Sequence, residues 1–472
     1  MGKVVTWPMP LTERPFDRYT LSVNGVSVPV WAGRVREEIN KPQGAGYTHM
    51  LNGRTEWCGF ARFDFEDSAE VTITLRKPCA KAEILPAAYG IKPILNGPTL
   101  RFTMYEPQHI TVLLDDSDEE VLHLFTHRPE TDIPDAKDPN VIYFGPGEHW
   151  INHIDIKSGQ TVYLDGGALV RAVLPAGAVG KQGGVLNLYG YGSNPVFNVQ
   201  NAENVRICGR GILDGTLLPH PARNLIRLYN SKDVRVEGIL LRNSPNWHMP
   251  IANCERVTVD GLVGLSGRLN SDGINCVSTS HAVIRNCFMR THDDTYAVKT
   301  MTPGVPSTDI LYENCIAWND WGYAFGVTYE TRADISNATW RNCHALYARH
   351  WPIGVHVSDS GTVSNILFEG ISIHYPQTRI PKEMGQALVQ IDNRRDVWGK
   401  DACTGHVRDI TLRNIAVTGS PVPSIIIEGA DAEHAIEGVT FEGIRIGDIP
   451  LRDIKNGAFA KVQHANNITV SP

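Results

Sequence analysis

The chain reads as all-β: a right-handed parallel β-helix over most of its length, preceded by a small antiparallel β-sandwich. Three observations lead there. A short pattern recurs: VRVEGI ending at Ile239, VTVDGL at Leu262, VIRNC at Cys287, ILYENC at Cys315, ATWRNC at Cys343, ILFEGI at Ile371, ITLRNI at Ile415 and VTFEGI at Ile444. Between Gly238, Gly261, Asn286, Asn314, Asn342 and Gly370 the steps are 23, 25, 28, 28 and 28 residues, a solenoid period. The units alternate with period two and are β-branched, which makes them strands rather than helices. Finally, 472 residues exceed one ordinary core, and an elongated repeat absorbs the excess.

Residues 1–130 carry short alternating runs, YTLSVNGVSVPVWAG, FARFDFEDSAEVTITL, LRFTMYEPQHITVLLDD and EEVLHLFTH. Turn residues such as Asn24-Gly25 separate them, as between the strands of a sandwich. The charged, proline-bearing stretch RPETDIPDAKDPN follows, and residues 131–140 are read as a linker. Residues 141–472 are then the β-helix, with glycine-rich turns between short apolar runs. HANNITVSP closes the stack. Along the helix, Asn286, Asn314 and Asn342 with Cys287, Cys315 and Cys343 are expected to form ladders of buried amides and inert thiols, joined by Asn253-Cys254 and Asn275-Cys276.

Composition removes several function classes. The chain is 42% hydrophobic and 20% charged, without an apolar run of about 18 residues, so no membrane role is expected. A net charge of -7 without a Lys/Arg block gives no support for nucleic acid binding. The amino terminus MGKVVTWPMPLTERPF has no apolar signal core, so the chain as given reads as cytoplasmic, or as secreted or periplasmic where a signal has been removed. Its nine cysteines match neither a disulfide framework nor a zinc site.

The stretch with the most chemistry is NSDGINCVSTSHAVIRNCFMRTHDDTYAVK, residues 270–299. Asp272 and Asp293 are 21 residues apart, close to one short coil, so they should sit on adjacent rungs with Asp294 beside them and Lys299 behind. Crowded carboxyls raise one another's pKa, and a protonated carboxyl beside ionised ones suits glycosidic hydrolysis. The same trio also suits calcium, and Asp272-Gly273 by itself reads as a solvated turn.

The segments GRGILDG (209–215), LRNSPNWHM (241–249), NSDGI (270–274) and HDDTYAVK (292–299) resemble, in order, the motifs of the polygalacturonase-like glycoside hydrolase family 28. The related dextranase and isopullulanase family 49 also carries a sandwich before its helix, and both imply the pectin-lyase-like solenoid. The resemblance implies an inverting mechanism in which Asp293 is the general acid and Asp272 with Asp294 activates the water. It makes Lys299, Trp247, His248 and His292 candidate substrate-binding groups. Two motifs depart. Where the family has Gly-His-Gly this chain reads NDWGYAFGVTYE, and where it has Arg-Ile-Lys the best match is Gly354-Val355-His356.

Around the expected cleft lie Trp318, Asp320, Trp321, Tyr323, Tyr329, Glu330, Arg349, His350, Trp351 and His356. Aromatic rings stack on sugar faces and polar groups bind hydroxyls, so Trp321, Tyr323, Tyr329, Glu330, Arg349 and His356 complete the candidate binding set. The expected activity is hydrolysis of α-linked bonds in a pectin-type or related glycan, with exo-action from chain ends as one form it can take, an oligo- or polysaccharide as partner and no cofactor or metal. The alternatives are a calcium-dependent lyase and a non-catalytic glycan-binding helix.

Overall fold

The computed structural model describes residues 2–36, 55–174, 195–220, 223–375, 387–419, 424–454 and 460–472. From Val141 onward the coils give strands to three long sheets, which hold 12, 12 and 11 strands among the described residues and are parallel except for the last pair of the second, Arg445–Ile446 with Ile449–Pro450. The repeats seen in the sequence are all strands of the first sheet, such as Ser280–Arg285, Ser307–Glu313 and Ile335–Arg341, in register one above another. Ala465–Ser471 is that sheet's last strand. This is the expected parallel β-helix. Valine, isoleucine and leucine fill its interior, with a ladder of rings in which Tyr312 lies 5.4 Å from Trp340 and Trp340 4.8 Å from Phe368.

The ladders differ from expectation in one respect. Cys287, Cys315 and Cys343 are buried and unbonded, but Asn286, Asn314 and Asn342 are exposed. Each of these asparagines has φ near +50°, at 54°, 53° and 51°. They stand at the corner between the first and second sheets because asparagine tolerates the left-handed turn there, as do Gly238, Gly261 and Gly370 at 73°, 64° and 67°. Asn253-Cys254 occupies a different corner, and Asn275-Cys276 lies inside the strand Ile274–Val277.

Ahead of the helix, a six-stranded and a five-stranded sheet enclose their own apolar core. Val23 pairs with Val26 across the Asn24-Gly25 turn, both turn residues at positive φ. The pairing is antiparallel except that Ser117–His127 runs parallel to Glu56–Phe65. Residues 128–140 form no strand but are tied to the helix: Tyr163 donates to Glu130 at 3.1 Å and Arg206 to Asp132 at 2.7 Å.

The sandwich covers the outer face of the second parallel sheet. Trp31, Phe60 and Phe125 pack there with Leu240, Phe288 and Trp318. Arg62 donates to the carbonyls of Gly211 and Gly238 at 3.1 and 2.9 Å. Near the start of the helix, the half-buried Glu13 sits against the buried Arg171 and Arg242, 2.7 and 2.5 Å away, and both arginines also hold the buried Asp214. Removing one member of a buried ion network leaves its partners uncompensated. Glu13→Ala is therefore expected to cost about 3–5 kcal/mol in chemical denaturation, whereas a loss near zero would mean that water replaces the carboxylate.

Candidate active site

The acids lie in the turns that join the second sheet to the third. Asp272 precedes the strand Ile274–Val277, and Asp293 with Asp294 precedes Tyr296–Thr300. Because Ile274 pairs with Tyr296, the residue in line with Asp272 is Asp294, with Asp293 one position earlier. Oxygens of all three lie within 4.8 Å of one another. Asp272 and Asp294 are buried and Asp293 is partly exposed. Asp293 is thus the carboxyl of the three that faces solvent.

Each acid has a different partner. Asp294 accepts from Lys299 at 3.1 Å, from the Thr328 hydroxyl at 2.7 Å and from the Tyr323 amide at 3.0 Å. Asp272 accepts from Asn275 at 2.8 Å through one oxygen, while its other oxygen has no partner among the described residues. Burial, and then the charges of Asp293 and Asp294, hold the Asp272 carboxyl well above the usual range. Burial and the neighbouring Asp294 push Asp293 up to about 8. With its pKa raised to about 8, Asp293 keeps its proton at neutral pH.

The turn that carries the acid pair is fixed from below. Asn319 donates to the Asp293 carbonyl at 2.8 Å and to the Thr295 hydroxyl at 2.9 Å, and Thr291 donates to the same carbonyl at 2.8 Å. Gly322, at φ 80°, closes against the pair, and a Cβ there would stand 2.8 Å from Asp294 Oδ1 and 3.0 Å from Asp293 Oδ1. Gly322→Ala is expected to lower kcat by about 10²-fold by displacing the acids, with a smaller change in melting temperature. A kcat within twofold of the native value would show that the turn absorbs the methyl group.

Lys299 is buried rather than a surface lysine, and its ammonium bridges Asp294 and Glu330, 3.1 and 2.9 Å away. It also faces the rings of Trp247 and Tyr329, at 5.5 and 5.4 Å from their centres. Burial alone would lower its pKa, but the charges of Glu330, Asp294 and Asp272 outweigh it and raise the value. The ladder shifts register just at Lys299, whose ammonium also reaches the Thr328 carbonyl at 3.3 Å, and further along the third sheet His356 pairs with Asp392.

The other candidate residues divide into floor and wall. His248 is fully buried and holds the Asp272 carbonyl at 2.8 Å. His292 is also buried, its amide bonded to Ser271 at 3.3 Å. Tyr323 is buried, stacked on Trp351 at 4.8 Å and packed over Gly354, where a side chain would collide with its ring. Trp321 is partly exposed next to the acids and meets His350 at 4.0 Å, with the buried Arg349 over its ring at 5.9 Å. Tyr329 and Glu330 are partly exposed, and the Tyr329 ring meets that of His356 at 4.9 Å. His356 sits between Asp392 and Asp396; burial pulls its pKa down, but the two carboxylates outweigh it and raise the value to about 9.

Two residues expected in the cleft are elsewhere. Trp318 lies under the sandwich, with Arg290 4.4 Å from its ring centre. Asp320 is buried 3.7 Å from the same arginine. Both point to the second sheet's covered face because strand alternation and the following turn turn them away from the groove.

The fold and the acid cluster define a sandwich-capped parallel β-helix with a carboxyl-lined groove. Residues 195–380 match the model of the glycosyl hydrolases family 28, so the resemblance seen in the motifs holds over that segment. A rhamnogalacturonase A of Emericella nidulans is 25% identical over 250 residues, 51% of this chain and 45% of that protein. A probable polygalacturonase of Vitis vinifera is 26% identical over 144 residues, 29% of this chain and 26% of that protein. The match thus spans less than half of either relative. Among solved structures, Dex49A from Penicillium minioluteum superposes with a TM-score of 0.69 at 12% identity, covering 100% of this chain and 99% of that one. An exopolygalacturonase from Thermotoga maritima gives 0.51 at 17% identity, covering 70% of this chain and 84% of that one. These two likenesses concern the fold, and the first extends through the sandwich.

Proposed function

We propose that the chain is an inverting glycoside hydrolase acting on α-linked bonds of a pectin-type glycan. The observation that carries this reading is the unequal environment of the three acids. Asp293 is partly exposed and holds its proton, so it is placed to protonate the leaving oxygen. Asp294, the carboxyl paired with Lys299, is placed to take the water's proton, and Asp272, whose own carboxyl is raised, offers an unpartnered oxygen that positions the water. The relatives' names point to galacturonate-containing substrates, and Trp247, Trp321 and Tyr329 form the wall on which the sugar rings rest, with Lys299 behind the rings of Trp247 and Tyr329. Cleavage from chain ends belongs to the same reading; its mark is release of one or two sugars from the first minutes of digestion.

The 4.8 Å spread is shorter than the roughly 6.5–9.5 Å usual for inverting pairs. It is the upper limit on the distances within one set of oxygens, one taken from each acid. Inversion is inferred from the motif resemblance, and the product anomer decides it.

Digestion of a panel of pectin fragments tests the function. Hydrolysis should yield saturated reducing ends, unaffected by chelator, and Asn variants at Asp272, Asp293 and Asp294 should each lose it. Unsaturated products that vanish with chelator would instead make the chain a lyase. The pH profile follows from Asp293: activity is present while its proton is held and is lost as pH rises through about 8. An alkaline limb that stays flat well above that value would remove Asp293 from the acid's role.

A further inference from the structure

Three coils beyond the acids, the segment 393–404 leaves the third sheet after the strand Ala387–Asp392. It is anchored at both ends: Asn393 donates to the carbonyls of Gly405 and His434, each at 2.9 Å, and Thr404 donates to that of Val357 at 3.1 Å. In between, Asp396 receives the Trp398 amide at 2.7 Å, and Asp359 receives that of Asp401 at 2.8 Å. Fixed in this way, the segment nevertheless presents Val397 at 80% and Trp398 at 37% exposure. Large apolar side chains on a well-anchored loop gain nothing from water, and an exposed tryptophan beside a groove has the shape of a sugar platform.

The loop is continuous with the groove. Lys299 at the acids faces Tyr329, Tyr329 meets His356, and His356 bonds Asp396 at 3.1 Å, two residues before Trp398. With coils about 4.8 Å apart, the loop lies on the order of 14 Å from the acids along the helix axis and a strand's length to one side, a few sugar units away. The charges differ between the two places. At the acids, Lys299 is taken by Asp294 and Glu330, and His356 by Asp392 and Asp396. On the loop, Arg395 and Lys400 are exposed, and neither side chain has a partner among the described residues.

We propose that this loop forms an outer subsite for an acidic sugar, with Trp398 stacking on the ring and Arg395 and Lys400 attracting its carboxylate. The subsite rests on the hydrolase reading but is tested apart from it. Galacturonate oligomers of two to eight units are compared on the native protein, on Trp398→Ala and on Arg395→Ala/Lys400→Ala. For the longer oligomers KM should rise about tenfold in Trp398→Ala while kcat stays within twofold, and the shortest oligomers should be unaffected. The double variant should also lose the salt dependence of KM, because exposed charges are screened. An unchanged KM on long oligomers, or equal losses at every length, overturns the subsite while leaving the hydrolase in place.

Calorimetric binding of the same oligomers to Asp293→Asn, with and without Trp398, gives a readout that needs no turnover. Binding that falls with Trp398 upholds the subsite even where hydrolysis fails. Binding indifferent to it, or no binding of any oligomer, overturns the subsite.

Discussion

Asp293→Asn is expected to lower kcat by about 10²–10⁴-fold, the range over which a positioned general acid contributes, while substrate binding persists. The same change should stabilise the fold. Burial and Asp294 raise the Asp293 carboxyl from 3.8 to about 8, so the folded chain binds this proton more tightly than the unfolded chain. Stability from that proton is fully present below the unfolded value and is lost as pH rises through the folded one. The variant has no such loss, so its melting temperature should exceed the native one by a margin that grows across that window. A variant that is inactive but gains no stability would show that water screens the carboxyl more than its surroundings indicate.

The second large effect is expected at Lys299. Its buried ammonium is the cation shared by the buried Asp294 and the partly exposed Glu330. Lys299→Met keeps the bulk but leaves two carboxylates facing each other uncompensated, which should cost about 3–5 kcal/mol. Turnover should fall too, because Asp294 loses the ammonium that holds it in place beside Asp293. Adding Glu330→Gln removes one of the stranded charges and should restore part of the stability but little of the turnover. Should the single variant melt like the native protein, the lysine would be dispensable to the fold and its role confined to substrate.

Much of this was legible in the sequence because a solenoid writes its geometry as a period. Recurrent first-sheet strands fixed the coil length, and the coil length brought Asp272, Asp293 and Asp294 together. The asparagine ladder was misjudged because Asn286, Asn314 and Asn342 recur at one position for a backbone reason, the left-handed turn, and not for an amide buried in the core. Trp318 was misplaced because period-two alternation tells in from out but does not reveal that a second domain covers one outer face. Asn275, Asn319, Thr328 and Gly322 were missed as parts of the site, although Thr328 could have been found by counting one 29-residue coil from Lys299. Asp396 and Trp398 lie in a loop whose length breaks the repeat, where counting gives no guidance.

The measurement that bears most directly on the central claim is NMR of the first product formed from a pectin oligosaccharide, native protein against Asp293→Asn. The three-aspartate account predicts a sugar released with its anomeric configuration inverted, and no release from the variant within the same time. A retained anomer would contradict it, since one of the three acids would then be a nucleophile rather than a partner of water. Release that continued unchanged in the variant would place the chemistry outside this cluster.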